Sequence, residues 1–124
     1  MITRETLIQK YPQILQNVHP EVDDGWCDLL DHLMSNLQWN TEKNGYPQVV
    51  ATQIKEKFGT LRFYYQTMGV SEENNNIHKT GCIEGMISFA ETMSGHICES
   101  CGEKGKVNKG GWLKCLCEKC NKRR

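Results

Sequence analysis

The 124-residue chain has no excess of either charge, with 15 Lys/Arg against 15 Asp/Glu. It also has no apolar run near the roughly 20 residues needed to cross a bilayer. The missing run excludes a transmembrane helix. No charged start followed by an apolar stretch marks a secretory signal, and Met1-Ile2-Thr3-Arg4-Glu5 reads as the start of a cytoplasmic protein. Catalytic signatures are missing too: there is no phosphate-loop glycine pattern, no nucleophile elbow and no H-E-x-x-H. The four histidines, His19, His32, His78 and His96, are scattered one per segment, which gives a nuclease no second metal cluster. His19-Pro20-Glu21 matches half of a zinc deaminase signature. Pro20 spoils its helical placement, however, and Ile97 rather than proline precedes Cys98. No enzyme is expected.

Cysteine is what the chain has in plenty. Cys98, Cys101, Cys117 and Cys120 read C-x2-C-x15-C-x2-C, a spacing that brings two thiol pairs to one metal. A two-residue gap lets both sulfurs of a pair face one ion from a single turn. The interval from Gly102 to Leu116 is long enough for a hairpin that returns the second pair to the first. Four thiolates suit one tetrahedral Zn²⁺ and close its coordination shell, so the expected ion is structural. Cys115 and His96 are possible substitutes for a predicted ligand. Cys27 and Cys82 are expected in the core, where a free thiol packs as a small hydrophobe. An odd count of seven cysteines in paired spacing favours reduced thiols over disulfides.

The charge is unevenly distributed. Residues 1–95 carry 7 Lys/Arg and 12 Asp/Glu, a net of −5, whereas residues 96–124 carry 8 and 3, a net of +5. Zinc with four thiolates leaves that tail about +3. Its basic end, Lys122-Arg123-Arg124, is read as either a weak anion-binding tail or an ordinary solvated face.

The hydrophobic pattern predicts an α+β fold: a small antiparallel β-hairpin packed with two main helices, plus a C-terminal zinc ribbon. Residues 1–95 form the body and 96–124 the ribbon, packed as one compact unit. Thr3 caps a short helix that Pro12 ends, and Ile14, Leu15 and Val18 form a further turn. Asp23 or Asp24 caps a longer helix carrying Trp26, Leu29, Leu30, Leu33, Met34 and Leu37 on one face, followed by a loop over 39–47. Residues 48–67 alternate as a hairpin about Phe58-Gly59. In that register Ile54 faces Phe63 and Thr52 faces Tyr65 on the buried side. A polar connection over 69–76 leads to a second long helix with Ile83, Met86, Ile87, Ala90 and Met93 inward, ended by Gly95. Gly81 and Gly85 inside it would allow close packing against the hairpin or Trp26. Trp112 is expected to pack on the zinc turns or the body.

Several of these residues together resemble a known group. Trp26-Cys27-Asp28-Leu29-Leu30, the run Gln53-Ile54-Lys55-Glu56-Lys57-Phe58-Gly59-Thr60-Leu61-Arg62-Phe63-Tyr64, Ala90-Glu91, the Cys98-Glu99-Ser100-Cys101-Gly102 turn, Gly111-Trp112 and Leu116-Cys117 carry the likeness. The chain over roughly 24–120 resembles small zinc-ribbon proteins of bacteriophages, prophages and some bacterial genomes. Relatives often have a second glycine where Thr60 stands. The resemblance implies a phage-associated protein of the host cytoplasm that binds and blocks a host factor or counters a defence system.

The hairpin's polar face, Lys55, Lys57, Arg62 and Tyr64 with Gln53, is the candidate binding surface. Lys55 lies opposite Arg62, and directly opposed like charges destabilise a sheet unless an anion relieves them. The alternative is a solvated face whose long side chains swing outward. The expected partner is a host protein or a small anionic ligand. A nucleic acid bound through residues 104–124 and the same hairpin is the other reading; no membrane partner is expected, and the oligomeric state is left open.

Overall fold

The computed structural model describes residues 2–69, 71 and 77–124. Its elements in chain order are α1 (Arg4–Lys10), a 3-10 turn (Asp24–Trp26), α2 (Cys27–Asn44), β1 (Gln48–Lys57), β2 (Thr60–Met68), α3 (Ile77–Ser94), β3 (Lys106–Asn108), β4 (Lys114–Leu116) and α4 (Glu118–Arg123). This is the expected α+β arrangement: β1 and β2 form one antiparallel sheet, and β3 and β4 form a second in the ribbon. Most of the expected polar connection, residues 70 and 72–76, lies outside the described residues.

Thr3 caps α1 by accepting from the Thr6 amide, and buried Leu7 and Tyr11 turn it toward the core. The start of α2 differs from expectation. Neither Asp23 nor Asp24 caps it; a 3-10 turn precedes it, and Asp23 makes no side-chain cap bond. The Asp23 amide instead donates to the Glu99 carboxylate at 3.1 Å, so the chain entering α2 is held by the ribbon. The stripe Trp26, Leu30, Leu33, Met34 and Leu37 is buried as the 3.6-residue period requires. Its C-terminal end runs beyond the expected stop, through Asn44 to a left-handed Gly45. The extra turns are polar apart from Trp39, which is exposed, so the apolar period gives no sign of them.

The hairpin turns at Phe58 (φ 55°) and Gly59 (φ 87°), two positive φ values in a row as a type I′ turn demands. Glu56 Oε2 accepts from the Gly59 amide at 2.7 Å and braces it. The register pairs Ile54 with Phe63 and Lys55 with Arg62, as expected, but it shifts between Ala51 and Gln53. Thr52 is therefore an exposed bulge residue and does not face Tyr65, whose partner is Ala51. The bulge moves the buried set from Ile54 to Ala51 and Val49, because one extra residue inverts the alternation.

Both outer edges of the hairpin are occupied. Along β1, the Ala51 amide donates to Ile14 O and Ile54 O accepts from the Glu21 amide. Along β2, Ser94 Oγ accepts from Leu61 N at 2.8 Å and Glu91 Oε2 from Phe63 N at 2.8 Å. Side chains of α3 thus satisfy an edge that would otherwise invite another strand. Ile83, Ile87 and Ala90 bury the same helix on the sheet. Gly81 and Gly85 do not pack inward: a Cβ at either would meet nothing within 4 Å. Gly95 follows α3 without left-handed geometry. Among the described residues no helix is long and apolar enough to cross a membrane.

Candidate functional site

The ribbon is built by two short turns and a two-stranded connector. In the first turn the Cys98 amide donates to Glu103 O at 2.7 Å and the Gly102 amide to Cys98 O at 2.9 Å, curling the chain so that Cys98 and Cys101 share a side. β3 and β4 then return the chain in register, Val107 opposite Cys115. Cys117 becomes the N-cap of α4, its Sγ accepting from the Cys120 amide at 3.4 Å. The ligand atoms of Cys98, Cys101, Cys117 and Cys120 all lie within 4.8 Å of one another.

The fit to zinc can be tested on the sulfur spacing. Tetrahedral coordination with Zn–S of about 2.3 Å puts neighbouring sulfurs about 3.8 Å apart, and Cys101 Sγ stands 3.6 Å from Cys117 Sγ. Proton energetics agree. The Cys120 amide above all draws the Cys117 thiol down to about 7. At Cys101 the Glu103 amide favours the thiolate, but burial and the thiols of Cys98, Cys117 and Cys120 outweigh it and push the group up to about 12. Four thiols this close cannot all ionise beside one another, whereas a dication removes the conflict. These four cysteines form a site for one structural zinc ion. The closed shell leaves no position for water or substrate.

The alternative ligands lie elsewhere. Cys115 is fully buried in the main core, its thiol pushed up to about 11 chiefly by that burial, and it is not one of the four clustered sulfurs. His96 is exposed at the end of α3 and stays outside the cluster. Cys27 is buried as expected, but Cys82 is exposed on α3 and is not a core residue. One residue before Ile83, it is turned about 100° away from the inward stripe of Ile83 and Ile87.

The zinc turns are joined to the body by backbone contacts that sequence reasoning did not find. The Gly25 amide donates to Glu99 O at 2.7 Å and the Trp26 indole to Ile97 O at 2.8 Å. A Cβ on Gly25 would lie 2.2 Å from Cys98 O, so only glycine permits this approach. Glu99 is buried, and burial raises its carboxyl above the ordinary value despite the bond from Asp23 N.

At the hairpin the sequence-predicted residues do come together. Lys55 faces Arg62, Gln53 faces Tyr64 and Lys57 faces Thr60 across the two strands, on one side of the sheet. None of Lys55, Lys57 and Arg62 forms an ion pair among the described residues. Arg62 Nε is shut off from solvent and makes no hydrogen bond among the described residues. Glu56 is opposite Leu61 on the other side and is engaged with the turn.

The ribbon completes this face. The hairpin tip touches the ribbon, since a Cβ on Gly59 would lie 2.8 Å from the Val107 side chain. Beside that contact is a cleft of about 460 Å³ lined by Lys55, Glu56, Lys57 and Phe58 from the hairpin and by Gly111, Trp112 and Leu113 from the ribbon. Trp112 was expected to pack, yet it is 73% exposed. Its loop is held instead through the backbone: Arg124 donates to the carbonyls of Gly110 and Trp112. Lys122 pairs with Glu118, so among the described residues Arg123 is the one member of the basic end with no such bond. Phe58 and Tyr64 are 66% and 45% exposed, which makes an aromatic surface among unpaired cations. The chain matches no protein-family model, no curated protein and no solved structure.

Proposed function

We propose that this is a non-enzymatic, zinc-stabilised binding protein whose working surface is the basic, aromatic side of the hairpin together with the adjoining ribbon loop. The observation that carries this reading is the Lys55–Arg62 pair, two opposed cations with no ion pair among the described residues, next to a cleft walled by exposed Phe58 and Trp112. An anion on that face relieves the repulsion, and exposed aromatics beside it supply contact area. The closed four-thiol shell supports a holding role for the metal. The resemblance to phage and prophage zinc-ribbon proteins directs the expected partner to a host protein or a small anionic molecule, bound so as to block or sequester it in the host cytoplasm.

The test compares partner retention by the zinc-loaded chain and by a Lys55→Glu/Arg62→Glu variant of unchanged circular dichroism. Loss of retention in the variant is expected; equal retention removes this face from consideration. A second reading, nucleic-acid binding through the ribbon, draws on a separate groove of about 520 Å³ that includes Lys104, Lys106 and Asn121. It requires DNA or RNA affinity that falls steeply between low and moderate salt.

A further inference from the structure

We propose that the cleft between the hairpin tip and the 110–113 loop binds a nucleotide, with its base against Phe58 and Trp112 and its phosphate at Lys55 and Lys57. This rests on the binding-face reading above and names the ligand class.

Phe58 sits at the first turn position with φ 55°. A bulky residue at positive φ is strained, and Asn-Gly is the pair that a type I′ turn favours. Phenylalanine at this position therefore opposes the local geometry. Burial does not compensate, because the ring is 66% exposed. Among the described residues the ring is met by the Lys57 ammonium, 5.5 Å from its centroid. Strain kept where packing gains nothing marks a position held for contact with something else.

Trp112 repeats the pattern from the ribbon side. It is 73% exposed on a loop whose carbonyls are bound by Arg124. The indole is thus presented by a supported backbone and does not fill the core. The two rings line one cleft, and its volume of about 460 Å³ falls in the ~300–1,000 Å³ range of small-molecule sites.

Charge selects the rest of the ligand. Lys55 and Lys57 line the cleft, and Arg62 stands directly across from Lys55. The one acid in the lining, Glu56, has an oxygen committed to the Gly59 amide. A carboxylate-only partner would satisfy the cations and leave both rings wet. A nucleotide brings a planar π-face and an anion in one molecule, which matches both parts of the lining. The same chemistry comes from a free nucleotide or from one residue of a single strand.

Titration calorimetry on the full zinc-loaded chain at low salt tests this with four probes: adenosine monophosphate, an oligo(dT) hexamer, inorganic phosphate and polyglutamate. Saturable binding of one of the first two is expected, with the base-free anions at least about tenfold weaker. Phe58→Asn removes the ring while favouring the turn, and Trp112→Ala leaves the loop backbone bonds available. Each should weaken nucleotide binding about tenfold without altering the circular dichroism. Equal affinity for monophosphate and hexamer supports a free nucleotide; a tighter hexamer supports a strand. If neither nucleotide probe saturates, or if polyglutamate binds as tightly and Phe58→Asn changes nothing, the nucleotide is wrong. The binding face then stands or falls separately, on whether Lys55→Glu/Arg62→Glu abolishes retention of a partner.

Discussion

Replacing Gly25 by alanine should unseat the zinc turns from the body while leaving the ion bound. An added Cβ would lie 2.2 Å from Cys98 O, 2.3 Å from Glu99 O and 2.5 Å from Glu99 C. These are backbone atoms and cannot rotate away. Reaching ordinary contact at 3.4 Å requires the two segments to part by about 1.2 Å at the closest point. That movement breaks the Gly25 N–H bond to Glu99 O (2.7 Å) and strains the Trp26 indole bond to Ile97 O (2.8 Å) and the Asp23 amide bond to the Glu99 carboxylate (3.1 Å). At about 1 kcal/mol net for each bond, the loss is about 3 kcal/mol. With about 4 °C per kcal/mol for a chain of this size, the melting temperature should fall about 12 °C. The assay is thermal circular dichroism of the zinc-loaded protein, with metal content measured in parallel. One zinc per chain should remain, since coordination is worth about 10 kcal/mol or more. Gly85→Ala is the control. It faces open space within a helix, so the same added methyl should stabilise by about 0.5–1 kcal/mol. If Gly25→Ala melts within about 2 °C of the parent, or if both variants lose stability alike, the docking described for the ribbon is wrong.

Two further outcomes follow from hydrogen bonds that span the fold. Ser94→Ala leaves the buried Leu61 amide without its acceptor, which should cost about 1–3 kcal/mol in urea unfolding and speed hydrogen exchange at Leu61 selectively. Asp31→Ala removes the carboxylate that accepts from Lys10 Nζ (2.7 Å) and Tyr11 Oη (2.6 Å), a loss of about 1 kcal/mol at pH 7. Burial raises the Asp31 carboxyl, but the bonds from Lys10 and Tyr11 and the Lys10 charge more than offset it and hold the group below its ordinary value. Its contribution is therefore complete above the ordinary carboxylate range and fades as pH falls through the depressed value. Melting curves of parent and variant should converge in acid; a gap that stays constant to pH 2 would contradict the assignment.

What the sequence made legible was local. Zinc spacing is a property of short turns, so the four ligands could be named from their intervals. The 3.6-residue stripe on α2 and the alternation about Phe58-Gly59 likewise need only neighbouring residues. The misses have non-local causes. The bulge at Thr52 is invisible because Val49, Val50 and Ala51 are all buried, and nothing in that run says which of them pairs with β2. Asp23 reads as a helix cap, but its amide is taken by Glu99 from 76 positions away. Ser94 and Glu91 read as ordinary helix residues until β2 places its open edge against them. Trp112 reads as a packing residue by type, and its exposure follows from a loop held by Arg124 through its backbone. At the binding face, the Lys55–Arg62 juxtaposition was available from register alone. The second wall of the cleft was not, because it depends on how the ribbon meets the hairpin tip.

The ribbon is organised about one ion held by four named sulfurs. Zinc absorption spectroscopy on the purified chain, with metal counted by native mass measurement, tests it directly. One zinc per chain with four sulfur neighbours at about 2.3 Å is predicted, unchanged in Cys115→Ala and lost in Cys117→Ser. A nitrogen or oxygen neighbour, a zinc site that survives Cys117→Ser, or a folded chain with four free, chelator-insensitive thiols would contradict it.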